Sequence, residues 1–187
     1  MAPEPGVAPA AQDVLHFWFT ELEVKQHFAK DAVLDATIAD RFGKLLLAAI
    51  RGELWSWRET APGRLAEIIL LDQFSRNIWR DTPRAFAQDP QALTLAQELA
   101  ASGLGETLST VQRSFAWIPF MHSESSQVHE QAVHLFAQPG LENTQSFAVS
   151  HRAIIDRFGR YPHRNAILGR ESTAEEIEFL AGPGSSF

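Results

Sequence analysis

Cysteine is absent from the chain, which excludes disulfides, thiolate metal sites, iron–sulfur clusters and cysteine nucleophiles. Long hydrophobic runs are missing too. The longest, Leu45–Ile50 and Ile68–Leu71, fall far short of the roughly 18–20 residues that cross a bilayer. No stretch alternates apolar and polar residues between turn residues, so strands are not expected. There is no Walker A loop, no GxGxxG and no GxSxG elbow, and no strict repeat near 34 residues, so any solenoid is degenerate. Positive charge is in deficit: the net charge is −7 and the pI about 5.5, which argues against nucleic acid or an anionic membrane as partner. Residues Met1 to Ala11 are rich in Ala and Pro but lack the basic start and apolar stretch of a secretory signal. They read as a disordered lead-in over 1–11, before a single domain over 12–187, and a cytoplasmic location is the expectation.

What is present is helical periodicity in a chain of 187 residues, 45% hydrophobic and 21% charged, enough for one globular domain. Asp13 is placed to cap a short helix carrying Val14, Leu15, Phe17, Trp18 and Phe19. A second helix starts near Asp31 and ends near Gly52, with Val33, Leu34, Ile38, Phe42, Leu45, Leu46 and Ala49 at three- and four-residue steps. A third runs from about Arg64 to Trp79. Thr82-Pro83 starts a fourth, and Gly103 and Gly105 end it. A weaker segment spans Thr107 to Trp117 and is interrupted by Pro119. Ser123 reads as the N-cap of a helix reaching about Phe136. The next helix runs from about Glu142 to Phe158 and stops at Gly159. After an irregular Arg160–Arg170 stretch, a last helix starts at Ser172/Thr173, with Glu175 and Glu176 at capping-box spacing. The fold class that follows is all-α, about eight helices in antiparallel pairs.

Three clusters could carry chemistry. Asp72, Arg76 and Asn77 lie in the third helix, the first two four residues apart and so on one face. The plain reading is an intrahelical ion pair; the functional one is an Arg and Asn aimed at a ligand. In the second cluster, His122 precedes a helix start with Glu124 in its first turn, where free N–H groups favour an anion. His122 could shuttle protons with Glu124 orienting it. The third is a basic island. Residues 151–171 hold five Arg against Asp156 and Glu171, a net +3, which leaves −10 for the rest of the chain. His151, Arg160, His163, Arg164, Asn165 and Arg170 belong to it, and Arg suits carboxylate or phosphate. The opposing reading is ion pairing to acidic helices, which would absorb two or three of the five. His151 shares a face with Ile154, Ile155 and Phe158 and fits a core histidine.

His129-Glu130 with His134 resembles a zinc-protease helix, but the second His comes five residues on, about 140° away from the first. No metal site and no cofactor are expected. The segments Val14 to Phe19, Leu70 to Asn77, Ala85 to Asp89, Pro119 to Glu124 and Phe158 to Arg170 with Ser172-Thr173 resemble a widespread bacterial family, catalogued as domain of unknown function number nine hundred and twenty-four. The resemblance covers nearly the whole chain after the lead-in. It implies an all-helical array similar to tetratricopeptide-repeat proteins and supplies no activity. Family members often carry Gln-Glu seven and eight residues after the histidine of the His-Ser-Glu motif; here His129 and Glu130 occupy those places.

Three functions remain open. The leading expectation is a binding scaffold whose Arg/His-rich pocket takes a small anionic molecule or a peptide carboxylate. A small hydrolase or lyase would use His122 or His163 as acid–base, with Glu124 orienting and Arg160 or Arg164 holding an anionic group. A structural role would have the polar motifs lock the Arg160–Arg170 segment onto the helices. Convergence of the three clusters on one open hollow, expected to be positively charged, would favour the first two over the third.

Overall fold

The computed structural model describes residues 6–185, and the protein is all-α, with no strand among those residues. The helices are α1 (Pro9–His16), α2 (Ala32–Ile50), α3 (Ala61–Ile68), α4 (Ser75–Ile78), α5 (Asp89–Ala101), α6 (Thr110–His122), α7 (Ser126–Phe136), α8 (Glu142–Phe158), α9 (Asn165–Leu168) and α10 (Ala174–Leu180). Between α3 and α4 the chain does not break. A π-helical segment, Ile69–Phe74, joins them into one rod. A second π segment, Phe17–Glu21, extends α1. None of the helices is long and apolar enough to cross a membrane.

Several boundaries follow from local chemistry. Asp31 caps α2, its carboxylate accepting from the backbone N–H of Val33 at 2.8 Å and of Leu34 at 3.1 Å, which satisfies two otherwise orphaned donors. Gly159 ends α8 at φ 67°, a conformation that glycine adopts without strain. Thr173 and Glu176 close a capping box at the start of α10.

Four expectations fail. The lead-in does not extend to residue 11. Residues 1–5 lie outside the described residues, but Val7 and Ala11 are buried in the core and α1 begins at Pro9. Asp13 therefore sits inside the helix rather than capping it. Pro119 does not interrupt the chain. It lies within α6, where its missing N–H leaves the Phe115 carbonyl without its usual partner. The helix consequently reaches His122, and α7 starts at Ser126 with Ser125 as N-cap.

The core is one large cluster. Phe17, Phe42 and Phe74 bring the π extension of α1, α2 and the Ile69–Phe74 segment together at ring separations of 5.0–6.0 Å. Each such buried ring contributes about 1.5–3 kcal/mol. From α5 to α8, each helix packs against the next, and α3 contacts α1, α5 and α6. A smaller cluster of Ile154, Ile155 and Tyr161 holds the segment after α8, with Phe158 and Phe179 against it. The rod carrying Asp72, the end of α6 and the segment after α8 thereby face one another.

Candidate functional site

The centre of the site is Asp72, 1% exposed, on the π segment. π turns replace the regular i→i+4 ladder locally and occur often at functional sites. Across the core, His122 ends α6, and its Nδ1 lies 2.7 Å from Asp72 Oδ1. Asp72 also accepts from Gln73 Nε2, and Arg76 stands 3.4 Å from Oδ1. Burial works against the Asp72 charge, yet Arg76, His122 and the bond from Gln73 hold its carboxyl below the usual range. An ionised Asp72 only accepts, so the His122 Nδ1 carries the hydrogen and Nε2 presents its lone pair. Nε2 has no partner among the described residues. The ring is 18% exposed and lines an open hollow of about 440 Å³. Burial and Arg76 push the His122 pKa down, against the pull of Asp72.

Two arginines meet at Asp89, the first residue of α5. Arg76 Nη2 donates to its Oδ2 at 3.0 Å and Arg164 Nη1 to the same oxygen at 3.1 Å. Arg164 is 6% exposed and its guanidinium packs on two rings, 4.6 Å from the Phe86 centroid and 4.7 Å from that of Tyr161. Its Nε is buried without a hydrogen-bond partner among the described residues. Burial pulls the Arg164 pKa down, opposed by Asp89. Phe86, Asp89 and Arg164 all line the hollow with His122 and Glu124.

The three clusters therefore converge, but not every member does. Asp72, Arg76, His122, Glu124, Arg164 and Arg170 form a connected set. Glu124 does not orient His122; Asp72 does. Arg170 holds Glu124 with two bonds of 2.7 and 2.9 Å, and the Tyr161 N–H adds a third at 2.8 Å. Nor does His122 precede a helix start. It closes α6, where the helix dipole favours a cation, so an anion site built on that N-terminus is not what the fold provides.

Asn77 turns the other way, donating to Asp35 of α2 at 2.7 Å beside Arg80. Arg160 is bound to both oxygens of Glu176 at 2.7 and 2.8 Å, and Asn165 bridges Ser172 and Arg170. His151 Nδ1 donates to the Phe147 carbonyl at 2.8 Å, and burial holds its pKa at about 3. His163 packs on the Tyr161 ring, and burial holds it at about 4. All five arginines of the basic island have carboxylate partners: Asp156, Glu175, Glu176, Asp89 and Glu124. The hollow is thus balanced in charge rather than positive.

Sequence reasoning missed Asp89, Phe86, Gln73 and Tyr161. All four lie in the segments that carry the family resemblance, which was their one common signal; Asp89 had a second, its place before Pro90 at a helix start. His129, buried completely, donates through Nε2 to the Ser123 carbonyl at 2.8 Å, and the Tyr161 hydroxyl donates to the Met121 carbonyl. These bonds fix the turn between α6 and α7. Among the described residues no three His, Asp or Glu side chains are grouped so as to hold a metal.

Residues 14–184 match the family described as bacterial protein of unknown function (DUF924). A solved structure of a protein of unknown function from Agrobacterium tumefaciens is 40% identical, with a TM-score of 0.87 over 91% of this chain and 96% of that one. No curated protein matches.

Proposed function

Since the chain belongs to the DUF924 family of bacterial proteins, for which no activity is established, we propose from its own geometry that it binds a small anionic molecule in the hollow between α5, α6 and the Pro162–Arg164 turn. Arg164 carries this reading. A guanidinium has five N–H donors, and the one bond it makes to a carboxylate goes to an oxygen it shares with Arg76. A buried guanidinium with free donors is costly, and an anion in the hollow would satisfy them. The Phe86 and Tyr161 rings already pack on the guanidinium, so less side-chain entropy is lost on binding.

A thermal-shift series of small carboxylates and phosphates tests the proposal. At about 100 times Kd a ligand adds about 2.7 kcal/mol, several degrees of Tm. Wild type is expected to respond and Arg164→Gln not to. An equal response from both proteins, or none from either, sinks the reading.

Acid–base catalysis is favoured by a separate observation, the Asp72–His122 pair with an accessible Nε2. In that case His122 is the catalytic base and Asp72 positions it. Glu124 and His163 are occupied elsewhere. Loss of the α-proton signal of a bound carboxylate in heavy water, absent in His122→Ala, would support catalysis; an unchanged signal in wild type would exclude exchange of that proton.

A further inference from the structure

The lining of the hollow divides by chemistry. Pro83, Phe86, Pro90, Leu93, Pro119 and Leu168 are apolar, whereas Asp89, His122, Ser123, Glu124 and Arg164 are polar. An apolar wall gains from covering apolar surface, and about 440 Å³ is near the small end of ligand sites. A ligand of hydrated charge alone, such as inorganic phosphate, leaves that wall bare.

Charge counting narrows the class further. The acidic groups of the site are Asp72, Asp89 and Glu124, and the fixed cations are Arg76, Arg164 and Arg170. Three face three. With His122 neutral the set sums to zero, and a single negative charge entering this partly buried site is left without a counter-charge. Only one group there can supply it. His122 Nε2 has its lone pair free, while Nδ1 is already bonded to a carboxylate that stabilises an imidazolium. The charges bearing on His122 come from several elements: Asp72 and Arg76 on the rod, Asp89 on α5, and the imidazoles of His129, His151 and His163. His129 and His151 are buried and His163 is half-buried, and none of the three lines the hollow, whereas His122 does, so His122 is the member of the group whose uptake of a proton from solvent an incoming anion favours.

Resting on the anion-binding reading above, we propose that the ligand is a monocarboxylic acid with an apolar body, and that its carboxylate enters together with one proton taken from solvent at His122 Nε2. The carboxylate then lies against Arg164 and the imidazolium, and the apolar body covers Phe86, Leu93 and Pro119. A monoanion restores neutrality with that one proton; a phosphate dianion leaves one negative charge over.

Titration calorimetry at pH 7.5 tests this with phenylacetate and inorganic phosphate as probes, in buffers of different ionisation enthalpy. Phenylacetate is expected to bind at least tenfold more tightly than phosphate, and to take up close to one proton. His122→Gln is expected to take up none. Because that variant leaves Asp72 less well bonded, wild type supplies an independent readout: the ¹⁵N signal of His122 Nε2 should move from acceptor to protonated nitrogen as phenylacetate is added. Binding without proton uptake, or an unmoved signal, overturns the proton linkage while leaving an anion site in place. Equal affinity for phosphate overturns the monocarboxylate class. Tighter binding of the tripeptide Gly-Gly-Phe than of phenylacetate assigns the hollow to a peptide terminus and overturns the free-acid proposal. Binding of none of these probes removes both this inference and the anion-binding reading.

Discussion

Asp72 ties the α3–α4 rod to the end of α6, 50 residues along the chain. One carboxylate accepts from His122 and Gln73, stands opposite Arg76, and is almost wholly sequestered from water. Removing one partner from a buried charged set leaves the others uncompensated and costs about 3–5 kcal/mol. Asp72→Asn is therefore expected to lower the urea midpoint by that equivalent; a loss below about 1 kcal/mol would mean that Arg76 and His122 find other partners. Arg164 differs in kind. Its loss removes a poorly satisfied buried cation, so Arg164→Gln is expected to cost less stability than Asp72→Asn while abolishing anion stabilisation. The same denaturation series ranks the two. At this scale the spacing of Asp72 and Arg76 was readable, since four residues place both on one helix face. The partner of His122 was not: it lies 50 residues away, and the nearest acidic residue in sequence, Glu124, belongs to Arg170.

Among the elements, α6 and the α3–α4 rod decide the site. The rod keeps running through a π segment, and α6 keeps running through Pro119, so that His122 ends a helix instead of preceding one. Proline usually signals interruption, because it removes a donor and crowds the preceding turn. Here Ile118, Pro119, Phe120 and Met121 are all buried, and tertiary packing outweighs the local preference. Packing at the other end of α6 is equally strict. A methyl added at Gly105 would approach the buried Trp117 ring to 2.5 Å. Gly105→Ala is expected to cost about 1–3 kcal/mol through overpacking, measured as a fall in Tm. A neutral outcome would show that the indole can shift aside.

The whole molecule has a pH dependence set by its buried imidazoles. In the unfolded chain a histidine takes up its proton near pH 6.5. Folded His151 and His163 stay neutral down to about 3 and about 4. Unfolding below pH 6.5 therefore absorbs protons, and the stability these groups contribute above that pH is lost progressively as pH falls. Glu176 acts in the same direction at lower pH. Its bonds from Arg160 hold it at about 2, so its contribution fades as pH drops below the normal glutamate range. Urea midpoints measured from pH 8 to 5 should fall, with the steepest loss under pH 6.5, and His151→Gln should flatten the slope. A midpoint independent of pH over that range would mean that the imidazoles are protonated in the folded protein.

The sequence by itself determined that this chain is helical and where most of its helices begin and end. Those features depend on neighbours three or four residues apart: the apolar steps of α2, the Asp31 cap, the Gly159 stop, the Thr173–Glu176 box. It also contained the residues of the site, because an acidic chain with a local run of arginines invites ion pairing. Only the tertiary structure decided who pairs with whom. Arg164 reaches Asp89 across 75 residues and His122 reaches Asp72 across 50. Opposite charges attract at any sequence separation, and thirteen arginines facing twenty-three acidic residues admit far more pairings than one fold can hold. Packing of the apolar faces makes that selection. It consumed the expected surplus of positive charge, and left Arg164 and His122 at the wall of the hollow with donor and lone-pair capacity still open.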